Sequence, residues 1–165
     1  MDERAERFDA VVRASVDPLR RFLARRTDAD TADDVLADTY LVAWRRFADI
    51  PDEPLPWLYG VARNCLANAE RGVRRRARLA ARLAEEPATA PGSDDASAVL
   101  EALATLPEAD RELIRLWAWE GLGPADIATV LATTPNAVSV RLTRARHKLR
   151  DRLRKTSAVA GHEGT

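Results

Sequence analysis

Residues Glu85–Ala98 read EEPATAPGSDDASA, with two prolines, a glycine and four acids, and no apolar repeat at helical spacing. A stretch like this has little apolar surface to bury, so it reads as a flexible linker over 85–98. It splits the chain into an N-terminal part, 1–84, and a C-terminal part, 99–155. Residues 156–165 are expected to form a disordered tail. Each part is small but large enough for a helical bundle. Runs of Val, Ile, Thr and aromatics that would build strands are missing, whereas Ala, Leu and Arg abound. The expected fold is therefore all-α, with two small helical domains free to vary in relative orientation.

The same composition narrows the function classes. No apolar stretch approaches the roughly 20 residues that span a bilayer. The chain opens on Asp2, Glu3 and Arg4, unlike a signal peptide. Cys65 is the single cysteine and His147 and His162 are the only histidines, so no metal-ligating cluster can be assembled from these types. No nucleophile with a partner base, carboxylate pair or phosphate loop is evident either. The reading is a cytoplasmic, non-catalytic protein without metal or cofactor.

The formal net charge of zero hides strong segregation. Residues 1–62 hold 9 Arg/Lys against 13 Asp/Glu, and residues 63–82 hold 7 against 1. Residues 83–135 then hold 2 against 10, and residues 136–155 hold 8 against 1. Two basic blocks flanking an acidic one point to two places that meet phosphate. A charge run alone is equally served by a solvated helix face, so the blocks need further support.

In the N-terminal part a helix is expected over Glu3–Arg26, with Pro18 marking a kink or a fresh start. Thr31-x-x-Asp34 reads as a capping box opening a second helix, whose buried stripe is Leu36, Tyr40, Ala43 and Phe47. The Pro-rich segment Asp49–Pro56 ends it. Apolar pairs at 57/58, 61/62 and 65/66 then give a third helix a wide apolar face, leaving Arg63, Asn64 and Asn68 off it. In the C-terminal part Thr105-x-x-Glu108 reads as another capping box, with Pro107 early in the helix and Gly121 ending it. Gly123-Pro124 opens a short helix to Ala132, and Thr134-Pro135 a long one to about Arg154. The short turn Thr133–Pro135 makes these two a helix-turn-helix.

Val138, Leu142, Ala145 and Leu149 share one face of the last helix, expected to pack against Ile127, Ala128 and Leu131. Arg141, Arg144 and Lys148 form a stripe beside it, and Asn136, Ser139, Val140 and Thr143 occupy its solvent-facing first turns. Such a helix can lie in a DNA major groove with its early residues at the base edges. In the other basic block, Trp57, Asn64 and Asn68 precede Arg71, Arg74, Arg75, Arg76 and Arg78. An aromatic, two amides and an arginine cluster suit single-stranded DNA, where bases stack and arginines hold the backbone. Core packing is the competing reading for Trp57, and plain surface polarity that for the two asparagines.

Three runs carry a resemblance: DDVLADTYLVAWRRF, PWLYGVARNCLANAERGVRRR, and LATLPEADRELIRLWAWEGLGPADIATVLATTPNAVSVRLTRARHKLRDRL. In this order the chain resembles the extracytoplasmic-function (ECF) group of the sigma-70 family over most of residues 1–155. The resemblance implies a sigma-2 domain (1–84) that melts and reads a −10 element. It also implies a sigma-4 domain (99–155) that reads a −35 element. Implied partners are bacterial RNA polymerase core, through its beta-prime clamp helices and beta flap, promoter DNA, and an anti-sigma factor of the kind common in the family.

By position, Trp57 and Asn64 match residues used around the melted −10 strand, with Asn68 one turn on. Arg71–Arg76 match a loop that shapes the pocket for a flipped base. Ser139, Val140, Thr143 and Arg144 match base-facing positions, and Arg141 a phosphate-proximal one. The helix with Asp34, Asp38, Thr39 and Val42 resembles the family's main polymerase contact. Ala37, Pro124, Ala137 and Ser139 depart from residues common in the family, so the promoter sequence is not carried over. A stand-alone helix-turn-helix regulator is the alternative. It would leave the Trp57–Arg76 block without a role.

Overall fold

The computed structural model describes residues 2–80 and 94–160. Among them lie seven α-helices, one 3₁₀ turn and no strand, as expected for an all-α chain. In order they are α1 (Glu3–Ala24), α2 (Ala29–Arg45), the turn Phe47–Asp49, α3 (Pro54–Ala80), α4 (Asp94–Ala104), α5 (Glu108–Ala118), α6 (Pro124–Leu131) and α7 (Pro135–Ala160). None of these helices is long and apolar enough to cross a membrane. The chain forms two compact units, one holding α1–α3, the other α4, α5, α7 and the start of α6.

In the first unit the Asp2 carboxylate accepts from the Arg4 N–H at 3.2 Å and opens α1, with Glu3 and Glu6 favourably placed at the positive end of the helix dipole. Pro18 lies inside α1 and does not begin a new helix. The ladder bond it forfeits is offset by Leu19, Phe22 and Leu23, all wholly buried just beyond it. α2 starts earlier than the Thr31 capping box implied. Asp28 is its N-cap, accepting from the Thr31 N–H at 2.9 Å and from the Thr31 hydroxyl at 2.8 Å. Thr31 thus serves as the donor side of a cap placed three residues upstream.

The core of this unit joins Leu19, Phe22 and Leu23 of α1 to Val35, Leu36 and Ala43 of α2 and to Leu58, Tyr59, Val61, Ala62 and Leu66 of α3. Phe22 and Tyr59 stack with ring centroids 4.9 Å apart. At the other end, Phe8 meets Tyr40, Trp44 and Phe47 edge-on or tilted. Arg4 covers Trp44 at 4.3 Å and donates to its carbonyl at 2.6 Å. Between the clusters, the buried Ser15 hydroxyl donates to the Val11 carbonyl at 2.6 Å and lies 2.9 Å from the Tyr40 hydroxyl. Burial raises the Tyr40 pKa.

The second unit departs from expectation at three places, the first of them a whole additional helix, α4. Helix begins at Asp94, so 94–98 are not linker, while 85–93 lie outside the described residues. Ala102 and Leu103, both buried, hold α4 in the unit. Thr105 caps no helix N-terminus. Its hydroxyl donates back to the Ala102 carbonyl at 2.7 Å, closing α4, and α5 begins behind Pro107 without a side-chain cap. At the far end α7 continues through 156–160, with the Thr156 hydroxyl bonded to the Arg152 carbonyl, so this part of the expected tail is helical. No helix breaker occurs before Gly161; residues 161–165 lie outside the described residues.

Gly121 takes φ +66°, and the Leu122 N–H reaches back to the Leu116 carbonyl, the wrap that ends α5. Ala132 takes φ 52° in the turn before α7, and the Thr134 hydroxyl caps the Ala137 N–H at 3.2 Å. Val138, Leu142 and Ala145 are buried, as are Ile127 and Ala128, whereas Leu131 is only half-buried. The packing partner of α7 differs from the one expected. It lies mainly on α5 and α4, with Ala145 and Leu149 set against Leu103, Leu106 and Ile114. α6 has eight residues and offers too short a ridge to hold a helix of 26.

Two outcomes follow from these contacts. Phe22→Ala removes a fully buried ring and should cost about 3–5 kcal/mol, a large share of the stability of so small a unit; urea unfolding followed by fluorescence would measure it. The Asp28 pKa lies below 3.8, chiefly through the Thr31 N–H bond. Its contribution is therefore full above pH 3.8 and fades as pH falls through the lowered value. Asp28→Asn should keep the cap and flatten that acid dependence, whereas Asp28→Ala should lower the melting temperature at neutral pH.

Candidate nucleic-acid interface

α3 is an uninterrupted helix from Pro54 to Ala80. The expected loop at Arg71–Arg76 is not present: Ala and Arg are strong helix formers, and Gly72 alone does not break the ladder. A continuous helix has a consequence for the candidate residues. At 100° per residue, Trp57, Asn64, Asn68, Arg71 and Arg75 fall within an arc of about 60°. Leu58, Ala62 and Leu66 lie about 110–170° from the centre of that arc and are buried, and Val61, also buried, borders it. Asn64, Asn68, Arg71, Arg74, Arg75 and Arg76 are exposed. Arg74 and Arg76 flank the stripe on opposite sides.

Trp57 is half-buried and so is not a core residue, with the Arg46 guanidinium 5.4 Å from its ring centroid. Arg71 donates to the Asn68 side-chain oxygen, and Arg76 reaches back to the Gly72 carbonyl at 3.4 Å. The stripe is thus a ring, two amides and a row of guanidiniums along one edge of the unit. Arg46 was not anticipated, although its basic side chain at the end of α2 could have flagged it.

The four α2 candidates separate. Asp34 and Asp38 are exposed and Val42 is half-buried. Thr39 is wholly buried, its hydroxyl donating to the Val35 carbonyl at 2.7 Å, and it cannot touch a partner. Its position three after Leu36 and four before Ala43 puts it on the buried stripe. Leu41, which the sequence reading passed over, is 52% exposed. It lies about 140° from the buried stripe and in line with Asp34, Asp38 and Arg45. Together with Asp38, Val42 and Arg45, Leu41 lines a groove whose far wall is Cys65, Asn68, Ala69, Gly72 and Arg76 of α3. Burial raises the Cys65 pKa, against an opposing effect from its bond to Thr39, so the thiol stays neutral there.

On α7, Asn136, Ser139, Val140, Arg141, Thr143, Arg144 and Lys148 are all exposed, and Val140 is 44% so. The Thr143 hydroxyl donates to the Ser139 carbonyl at 2.9 Å. The Lys148 ammonium is held 2.8 Å from the Asp110 carboxylate of α5. The first turns of α7 therefore present Asn136, Ser139, Val140, Thr143 and two arginines, while Lys148 is engaged with the unit itself.

The model for sigma-70 region 4 matches residues 96–149. The chain is 30% identical to the ECF RNA polymerase sigma factor SigC of Mycobacterium tuberculosis, covering 86% of this chain and 80% of that protein. This chain belongs to the ECF group of sigma-70 family sigma factors. The sigma factor is also 32% identical to the probable RNA polymerase sigma factor RfaY of Xanthomonas campestris over 79% of its length; it spans only 36% of that protein. Its fold is similar to that of the sigma factor RpoE, solved in complex with the anti-sigma factor NepR from Bartonella quintana. The TM-score is 0.66 and the identity 25%, covering 90% of this chain and 98% of that one. Family membership favours a sigma factor over a stand-alone helix-turn-helix regulator.

Proposed function

We propose that the chain directs promoter-specific transcription initiation in the cytoplasm, without catalysis of its own, by docking on core RNA polymerase and holding two promoter elements. The single-face arrangement of Trp57, Asn64, Asn68, Arg71 and Arg75 carries this reading. Duplex DNA offers its bases only at the grooves, but a separated strand offers faces to stack and edges to bond. A straight row of ring, amides and guanidiniums suits such a strand laid along α3, with Arg74 and Arg76 holding phosphates from either side. α1–α3 then act as the sigma-2 domain on the −10 element, and α4–α7 as the sigma-4 domain on the −35 element.

In the second unit the N-terminal turns of α7 enter the major groove. Arg144, Ser139, Val140 and Thr143 read bases there, while Asn136 and Arg141 sit near phosphate. The polymerase docks on α2 through Asp34, Asp38 and Val42, with Leu41 as the apolar centre of that surface. Leu41 fits the role because interface cores favour apolar side chains with charges at the rim. An anti-sigma factor that competes for these surfaces is the partner suggested by the solved relative's complex.

Arg144→Ala should weaken promoter-specific transcription by roughly 1–3 kcal/mol, the range of a bidentate base contact, and relax the preference at one base pair. Run-off transcription with core polymerase on wild-type and base-substituted −35 elements measures both; retention of activity and preference would remove α7 from the reading role. Extruding a base costs a few kcal/mol, which contacts in the open state must offset. Asn64→Ala, at an exposed site, should leave folding and polymerase binding intact. It should impair opening on duplex promoters far more than on templates already mismatched at the −10 element, as read by permanganate reactivity. Equal loss on both templates would assign Asn64 to another task.

A further inference from the structure

The basic block of α7 is not uniform. Arg146 places its guanidinium 4.2 Å from the Trp117 ring centroid, and Lys148 places its ammonium 2.8 Å from the Asp110 carboxylate. Both partners belong to α5, at positions seven apart, with Ile114 between them in the same row. Ile114 packs in the cluster that holds Ala145. Taking Ala145 as the centre of the buried face of α7, Arg146 lies about 100° to one side and Lys148 about 60° to the other. One apolar ridge of small and branched residues leaves a helix free to roll through small angles. Two polar clips on opposite flanks oppose roll in both directions.

We propose that Asp110–Lys148 and Trp117–Arg146 are positioning pairs that set the roll of α7, and hence which of Ser139, Val140, Thr143 and Arg144 face the base edges. This rests on the reading of α7 as the recognition helix. It takes Lys148 out of the phosphate-binding set, where its place in a basic stripe had put it. Asp110 is suited to the task, because its side chain is only 15% exposed and cannot swing away to follow a loosened Lys148. Trp117, 38% exposed, sits at the mouth of a groove lined by Ser139, Leu142, Thr143 and Arg146, so its clip lies next to the reading turn.

The test uses polymerase holoenzyme reconstituted with the full chain. The probe is a promoter duplex whose start site has been mapped by run-off transcription, together with single-base variants of its −35 element. Lys148→Met and Asp110→Asn should each reduce discrimination between the cognate and variant elements by roughly two- to fivefold, the scale of one such pair. The double variant should lose no more than either single one, since both remove one clip. Trp117→Leu should lower discrimination to a similar degree. None of the three should change the slope of affinity against salt.

A phosphate-binding Lys148 gives the opposite pattern. Lys148→Met would then weaken all elements alike and lower the salt slope by about one. Asp110→Asn, by freeing the ammonium, would tighten binding to every element. Either result overturns the proposal. Arg144→Ala is run alongside: if it too leaves base preference unchanged, the recognition-helix reading falls and this proposal with it. A shifted preference with Arg144→Ala and none with the clip variants defeats the clips alone.

Discussion

A helix in a unit this small can bury only one stripe, and the face left over has to be soluble by itself. α3 shows how far that constraint reaches. Leu58, Val61, Ala62 and Leu66 occupy its buried side, and Phe22 fixes the helix against α1 through Tyr59. With that side committed, Asn64, Asn68, Arg71 and Arg75 turn outward in register along the neighbouring edge, with Trp57 half-buried at its start. The proposed nucleic-acid face needs no dedicated scaffold. It is what remains once the core has taken its share, and its straightness follows from the unbroken ladder between Pro54 and Ala80.

Electrostatics divides the work in the same way. The acidic block spends its charge within the second unit. Glu108 pairs with Arg111, Arg115 lies near Glu108 and Glu112, and Asp110 takes Lys148. These are partly exposed pairs, each worth no more than about 1 kcal/mol. Their greater effect is on the map of charge: Arg111, Arg115 and Lys148 are paired within the unit, while the arginines at 71–76 on α3 and Arg141 and Arg144 on α7 stand exposed. A net charge of zero is then compatible with polyanion binding at two places. Contacts of this kind weaken steeply with salt.

Six of the seven helices, their order and most faces were legible in the sequence because 3.6-residue periodicity reports burial directly; α4 was not, since it starts within a stretch that reads as linker. What misled were side chains with two physically equivalent uses. Thr31 and Thr105 both sit three before an acid, yet Thr31 donates to an upstream aspartate and Thr105 closes the helix behind it. A hydroxyl can donate or accept at either helix end, and the sequence does not say which. Thr39 was assigned by resemblance, although its spacing from Leu36 and Ala43 already placed it inside. The arginines at 71–76 suggested a loop only through the family pattern; their own propensity is helical. Lys148 fell in a basic stripe, and its tie to Asp110 depends on a crossing of α5 and α7 that no local pattern encodes.

The groove between α2 and α3 links the proposed polymerase surface to the strand face. Asn68 belongs to both: it lines the groove with Asp38 and Leu41, and it accepts from Arg71 on the stripe. A partner side chain entering beside Leu41 would meet Asn68, which holds Arg71, and Arg76, which flanks the arginine row. Ordering them lowers the entropy that a captured strand would otherwise have to overcome, since each long side chain held in place costs on the order of 1 kcal/mol. Polymerase docking on α2 would thus prepare α3 for the separated strand with no change in backbone.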